Sequence, residues 1–271
     1  MRYLLGLFVV GILVGCSGDS AETVTPPVQV PPSVDPAPVL LRNANINCGE
    51  WSQRLADDFR PAYSLQRQQR WVVMGSSSAF GAGASKYDTS WAGLLVDVAK
   101  DYGAEVVNIA RGGYTTYQAM SSDCDVASNR PQPDAAHNVD LAIELGADLV
   151  ILSFPSNDAA SNYSAEETAH NILYLRSRLA DEGIALLVLG AQPRNMTKSK
   201  QKLLIELDDL LKPRFSPCLV ELYRYLVDNA GNLAPQYDAG DGVHLNDAGH
   251  AIVFEQLSKL FAERTDASCF N

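Results

Sequence analysis

The chain is short of histidine, with only 4 in 271 residues, and it has no run of basic side chains. Lys+Arg 21 against Asp+Glu 32 gives a formal net charge of -11. A chain with that balance carries no electrostatic footprint for nucleic acid and would not hold a polyanion by general attraction. Motifs are missing too: G-x-x-x-x-G-K-[ST], a G-x-G-x-x-G opening a helix, C-x-x-C, H-E-x-x-H and the G-x-S-x-G elbow. Phosphate-loop, dinucleotide, dithiol, zincin and nucleophile-elbow chemistries therefore have no anchor, and no cofactor or metal is implied. There is no internal repeat. Apolar residues at 46% and charged residues at 20% are ordinary globular values, which excludes a disordered acidic tail, a collagen-like chain or a multi-span membrane protein. The five cysteines are an odd number.

What is present begins with one apolar run, Leu4 to Val14, behind Met1-Arg2-Tyr3. It is short for a membrane span and has the length of a signal-peptide core. It closes on Leu13-Val14-Gly15-Cys16, which resembles the lipobox of bacterial lipoproteins; an ordinary secretory signal with a chance cysteine is the alternative. The resemblance implies cleavage of residues 1–15, diacylation of the Cys16 thiol and acylation of the new N-terminus. Several acyl chains suffice for stable membrane attachment. Ser17 after the cysteine resembles outer-membrane sorting, so the expected location is the bacterial cell envelope, lipid-anchored at the outer membrane, with the face left open. Residues 16–46 comprise that cysteine and a tether, since TVTPPVQVPPSVDPAP favours extended polyproline-like segments and has no apolar period.

Assigning Cys16 to lipid leaves Cys48, Cys124, Cys218 and Cys269, an even set in an oxidising compartment. Four cysteines allow three pairings; Cys48 with Cys269 is favoured because domain termini tend to lie close together. Residues 47–70 read as a helical extension whose Trp51, Leu55 and Phe59, spaced by four, form a stripe expected to pack on the domain of residues 71–271.

In that domain strands and helices alternate. Short apolar runs at Trp71–Met74, Glu105–Ile109, Leu149–Phe154, Ile184–Leu189 and Leu219–Leu222 read as buried strands. Helices are expected over Thr89–Tyr102, Ala135–Leu145, from Ser164 to near Gly183, Lys198–Leu211 and Asp247–Glu263. Ser164-Ala165-Glu166-Glu167 is a capping-box opening, and Asn195 or Thr197 is a candidate cap for the fourth helix. The implied fold is a three-layer α/β/α sandwich on a five-stranded parallel sheet. Ligands of such sheets sit beyond the carboxyl ends of the strands. Those positions hold Gly75-Ser76-Ser77-Ser78, Arg111-Gly112-Gly113, Ser156-Asn157-Asp158, Gln192-Pro193-Arg194-Asn195 and Asp241-Gly242-Val243-His244. A serine, an aspartate, a histidine, a glycine and an amide converging there are the inventory of acyl transfer. His137, His170 and His250 fall inside expected helices and read as structural.

These residues resemble the SGNH hydrolases, also called GDSL esterases, whose sheet is flavodoxin-like. GSSSAFGAG stands for the first block, with Ser77 in the nucleophile position and Gly81 and Gly83 at the spacing of its glycines. NIARGGYTT supplies Gly113 and PSND supplies Asn157 as oxyanion donors, beside the Ser77 backbone N–H. Asp241 and His244 fill D-x-x-H. Two departures occur: Ser76 replaces the aspartate of the family name, and Pro155 replaces a glycine two residues before Asn157. The resemblance implies a serine esterase working through a Ser77–His244–Asp241 triad and an acyl-enzyme.

Tyr87, Tyr114, Tyr117, Asn162, Tyr163, Gln192, Arg194 and Tyr237 are rim candidates, with Tyr114, Tyr163, Gln192 and Arg194 the named substrate contacts. Aromatic and amide groups suit sugar faces and hydroxyls, and no long apolar insertion is there to hold a fatty chain, so the expected substrate is a short acyl, acetyl-type ester of a carbohydrate. Arg194 could instead read a carboxylate on an acidic glycan or pair with a neighbouring acid. Alternatives are a lipase, lysophospholipase or thioesterase of the same family, an O-acyltransferase acting on a glycan, and a non-catalytic surface binding lipoprotein. The expected partners are a small-molecule or glycan ester and, through the lipid, the membrane, with no nucleic acid; oligomeric state is left open.

Overall fold

The computed structural model describes residues 40–58, 69–262 and 269. Every one of them belongs to a single compact unit that begins at Val39. Cys16, the leader, most of the tether and Phe59 lie outside the described residues. Among the described residues no helix is long and apolar enough to cross a membrane.

The sheet follows from the apolar runs. Strands β2 (Arg70–Gly75), β5 (Leu149–Ser153) and β6 (Ala185–Leu189) are buried along almost their whole length, as strands covered on both faces must be. Strand β3 (Glu105–Asn108) is half-exposed at one edge, and β7 (Leu219–Val220) is a short opposite edge. The order is β3-β2-β5-β6-β7 with every pairing parallel, and Val72 lies in register with Val107 on one side and Val150 on the other. This is the expected three-layer α/β/α sandwich.

Alternate residues face opposite layers, as the pleat requires. Val72, Met74, Val150, Leu152, Leu186 and Val188 pack under helices α4 (Val139–Glu144), α6 (Ala165–Asp181) and α7 (Lys198–Phe215). Trp71, Val73, Leu149, Ile151, Leu187 and Leu189 pack under α3 (Trp91–Asp101) and α9 (Asp247–Ala262), with the one-turn helix α8 (Tyr223–Leu226) beside α9. Side-chain caps start three of these helices: Ser90, Asn138 and Ser164 accept from the N–H groups of Gly93, Leu141 and Glu167. The expected box at α6 is only half closed, because the Glu167 carboxylate turns to Arg130 and Tyr117. Helix α7 starts after Thr197 without a side-chain cap and runs past Leu211, with Pro213 in its last turn. His137 lies in the turn before α4, outside any helix.

The N-terminal segment departs from its expected layout. Packing begins near residue 40 instead of 47: Leu41 is buried, and the Asn43 amide donates to Tyr117 Oη and Asn171 Oδ1. Strand β1 (Ile46–Asn47) pairs antiparallel with β4 (Asp125–Val126). Helix α1 covers Gln53–Asp58, and Trp51 just before it packs edge-on against Tyr174 and His170. Ala56 is buried whereas Leu55 is 72% exposed, so the inward face is not the stripe of every fourth residue.

The β1–β4 register also corrects the disulfides. Ile46 faces Val126 and Asn47 faces Asp125, so the next pair along the ribbon is Cys48 and Cys124, which are bonded. Cys218 bonds Cys269, tying the C-terminal segment to the residue before β7. The favoured Cys48–Cys269 pairing is overturned because local strand register, not the nearness of termini, places Cys48. Non-reducing peptide mapping should recover Cys48–Cys124 and Cys218–Cys269 peptides; a Cys48–Cys269 peptide would contradict the register. Losing the Cys48–Cys124 bond by double serine substitution should cost about 2–4 kcal/mol, read from denaturant unfolding.

A buried carboxyl on α7 supplies a second expectation. Asp208 accepts the Ala191 N–H at 2.7 Å, and burial pushes its pKa from 3.8 up to about 7. Between those values the folded chain holds a proton that the unfolded chain has lost, so this contribution to stability falls as pH rises. The melting temperature of Asp208→Asn relative to wild type should therefore climb from pH 5 to pH 8, and a constant difference would count against it.

Candidate active site

Every sheet strand ends at the same edge, and the backbone there is packed to the limit glycine allows. A Cβ on Gly75 would lie 2.2 Å from Ser153 O, so β2 and β5 reach this edge in contact only with glycine at that position. The chain then turns at Ser76, whose N–H donates to Ser153 O, into the four-residue helix α2 (Ser77–Phe80). Ser77 thus stands at the start of a helical turn and half-exposed, and its hydroxyl makes no hydrogen bond to any described residue.

The segment after β3 lies alongside α2. Asn108 donates its amide to Ala79 O at 2.8 Å, and Arg111 N donates to Gly75 O at 3.0 Å. This brings Gly112 opposite Ser77, where a Cβ would sit 3.9 Å from the serine Cβ. Gly113 adopts φ 83, in the left-handed region glycine favours, and faces open space. After β5, Ser156 turns the chain into α5 (Asn157–Ala160). The Asn157 amide nitrogen donates to Tyr114 O at 2.9 Å, and its oxygen accepts from Arg194 Nη1 at 3.0 Å. Asp158, fully buried, accepts from the Thr116 hydroxyl and N–H and so clamps the post-β3 and post-β5 loops; burial pushes its pKa up to about 6.

The Asp241–His244 loop is folded around its own carboxylates. Asp238 accepts the N–H groups of Gly240, Asp241 and Gly242. Asp241 Oδ1 accepts those of Val243 and His244, and Asp241 Oδ2 lies 2.6 Å from His244 Nδ1. An ionised carboxylate only accepts, so the imidazole proton sits on Nδ1 and Nε2 is left as an acceptor. Burial pushes the Asp241 pKa up, but the N–H and ring hydrogen bonds from His244 and Val243 outweigh it and hold the group at about 2. Both side chains remain partly open to solvent, His244 at 31%.

Two other loops grip this one. Gln192 donates its amide to Val243 O, and Asn195 N donates to Gly242 O. On the opposite side a Cβ on Gly83 would lie 2.3 Å from Leu245 O and 2.9 Å from the His244 Cβ, so the turn after α2 touches the histidine segment directly. Asp247 accepts from the Ser85 N–H and hydroxyl and from Thr89 Oγ1. Buried His250 bonds Ala82 O through Nε2 and receives the Trp91 N–H on Nδ1, which fixes it as a neutral structural ring. Among the described residues no three His, Cys, Asp or Glu side chains gather to hold a metal ion.

Ser77, Gly113, Asn157, Asp241 and His244 are thus brought to one end of the sheet. The rim candidates divide. Tyr163 is buried beneath the Arg130 guanidinium at 4.3 Å, Tyr117 is buried against Glu167 and Asn43, and Gln192 is buried holding Val243. These three serve the fold instead of the rim. Tyr114 is half-buried with its hydroxyl donating to Asp134, Arg194 is half-buried on Asn157, and Asn162 is an exposed turn residue at φ 63. The Tyr237 carbonyl accepts the Asn246 N–H, and the residue packs against the layer under α9. Tyr87 stays 43% exposed and, with Phe80, Gly81, Ala84, Lys86 and Asn108, lines a cleft of about 340 Å³ beside α2. Asp238 is not among the residues the sequence singles out, and for Asp158, Asn195 and Asp247, which lie in its post-strand segments or at an expected helix end, the pattern gives no sign of the loop-joining contacts seen here. The run Asp238-Ala239-Gly240-Asp241-Gly242 is a turn signal that could have flagged the first of them.

Sequence and structure comparisons bear on this edge. Among curated proteins no sequence relative is found. Solved structures with the same fold include a member of the lipolytic protein G-D-S-L family from Veillonella parvula, at TM-score 0.54 and 12% identity, covering 72% of this chain and 99% of that one. Another is a variant of an acetyl-xylooligosaccharide esterase from Geobacillus stearmophilus, at TM-score 0.54 and 14% identity, covering 72% and 94%. The model of the GDSL-like lipase/acylhydrolase family matches residues 73–252, a span running from β2 through the Asp241–His244 loop into α9. The chain belongs to the GDSL-like lipase/acylhydrolase family and is an ester hydrolase.

Proposed function

We propose that the protein is a serine esterase that removes a short acyl group, acetyl foremost, from a carbohydrate. The observation that carries the reading is the Asp241–His244 pair, which leaves His244 Nε2 as an acceptor in a segment packed against the turn that follows Ser77. In the proposed reaction Ser77 Oγ attacks the ester carbonyl carbon while its proton passes to His244 Nε2. The Oγ–C bond forms and the carbonyl π pair moves to oxygen. That oxyanion is met by the N–H groups of Ser77 and Gly113 and by the Asn157 amide. Collapse breaks the C–O bond to the sugar, whose oxygen takes the proton from His244. Water, deprotonated by His244 Nε2, then attacks the acyl carbon; collapse breaks the C–Oγ bond, Ser77 Oγ takes the proton back from His244, and the free acid leaves. Hydrogen bonds of unliganded sites commonly tighten only when substrate is bound, so a Ser77 hydroxyl without a partner is compatible with this cycle.

A carbohydrate is favoured by what lines the cleft beside α2. Phe80 and Tyr87 offer ring faces and Lys86 an ammonium group, while the Asn108 amide is already committed to Ala79 O, Tyr87 Oη and Ala110 N, a lining suited to a sugar more than to a fatty chain. The acetyl-xylooligosaccharide esterase that shares the fold is named for such an ester. The envelope location belongs to the same proposal: lipidation at Cys16 with a proline-rich tether would hold the domain off the membrane while it works on glycan.

The direct test is hydrolysis by the purified domain. Ser77→Ala should abolish turnover of p-nitrophenyl acetate and of acetylated xylo-oligosaccharides, and unchanged rates would sink the assignment. Asn157→Ala should lower kcat by about 10²–10³-fold, the usual cost of one oxyanion donor. Across p-nitrophenyl esters kcat/KM should fall steeply beyond butyrate. A maximum at octanoate or longer, or faster release of fatty acid from lysophospholipid, would replace the carbohydrate reading with a lipase reading.

A further inference from the structure

The Asn157 amide is held at both of its ends, and only one of its holders is a side chain. Its oxygen accepts from Arg194 Nη1 at 3.0 Å, and one of its two N–H bonds goes to Tyr114 O at 2.9 Å. One N–H remains uncommitted. An amide turned over by 180° would set its nitrogen against the guanidinium and its oxygen against the Tyr114 carbonyl, placing donor on donor and acceptor on acceptor. Arg194 and the Tyr114 carbonyl therefore decide together which way the amide points, and Arg194 is the side chain of the two.

The arginine is itself fixed from both sides. Gln192 N donates to Pro155 O and the Gln192 amide donates to Val243 O, while Asn195 N donates to Gly242 O. One four-residue stretch after β6 thus grips the histidine loop through Gln192 and Asn195 and the Asn157 amide through Arg194. No described carboxylate lies within ion-pair distance of Arg194, so its charge is not neutralised by a neighbour. A guanidinium stays ionised at every working pH, and a charged donor on an amide oxygen draws electron density from the nitrogen and strengthens its N–H as a donor.

We infer that Arg194 is a positioning residue for the oxyanion amide: it orients and polarises Asn157, and is not a contact for a substrate carboxylate. This rests on reading Asn157 as an oxyanion donor. The stabilisation appears only when negative charge develops on the carbonyl oxygen, so its loss should fall on kcat and leave KM nearly alone.

The experiment is a double-mutant cycle on p-nitrophenyl acetate, a substrate with no carboxylate to be recognised. Arg194→Met should lower kcat by about 10–100-fold with KM within about twofold, and Asn157→Ala should lower kcat further. In the Asn157→Ala background, Arg194→Met should change kcat by less than about threefold, since its target is gone. Added guanidinium should restore part of the activity of Arg194→Met and none in the double variant. Arg194→Lys, with a melting temperature measured for each variant, covers the case in which the methionine variant does not fold; it should keep more kcat than Met. Losses that multiply in the double variant, or a raised KM with unchanged kcat, would overturn the inference while leaving Asn157 as the donor. Wild-type activity in Asn157→Ala would remove the oxyanion reading and this inference with it.

Discussion

The site depends on one close approach of backbone to backbone. The turn after α2 touches the segment that carries His244, with Gly83 so near Leu245 that a methyl group there would overlap the carbonyl. Ser77 and His244 come from opposite ends of the domain, 167 positions apart in a 271-residue chain, and neither local propensity nor a shared element joins them. The contact is fastened on both sides, by Asp247 on Ser85 and Thr89 and by His250 between Ala82 and Trp91. A side chain at Gly83 would push the histidine loop away from the serine turn, and the glycine's φ of 90 would strain it further.

Polar contacts then complete what the sheet begins. The parallel strands deliver five loops to one edge, but the loops are short of apolar residues and cannot pack by hydrophobic contact alone. Carboxylates take that part: Asp238 and Asp241 fold the histidine loop, and Asp158 joins the second and third loops. Asp241 is held at about 2 by the N–H groups it accepts, so it is anionic at neutral pH and keeps the imidazole proton on Nδ1. Asp158 instead pays desolvation, and the cross-loop bonds from Thr116 set its place.

The legible part of the sequence was whatever depends on local pattern. The runs at Trp71–Met74, Leu149–Phe154 and Ile184–Leu189 are too apolar and too short for anything but strands buried on both faces, and β2, β5 and β6 fall within a residue or two of them. Ser77, Asn157 and His244 could be picked out because each follows a strand or sits in a short spaced motif. The rim was not legible, because exposure of an aromatic residue depends on distant partners: Tyr117 is covered by Asn43 and Glu167, and Tyr163 by Arg130. The disulfides were hidden for a similar reason. A ribbon of two residues on each side leaves no periodic signature, yet its register puts Cys48 opposite Cys124.

The most direct measurement is a crystal structure of the protein after reaction with a small serine-reactive phosphonate. The expected result is phosphorus bonded to Ser77 Oγ, with one phosphonyl oxygen about 2.7–3.1 Å from both Gly113 N and the Asn157 amide nitrogen. His244 Nε2 should face the serine oxygen. Phosphonate on another residue, or an oxygen turned away from Gly113 and Asn157, would contradict the proposed site.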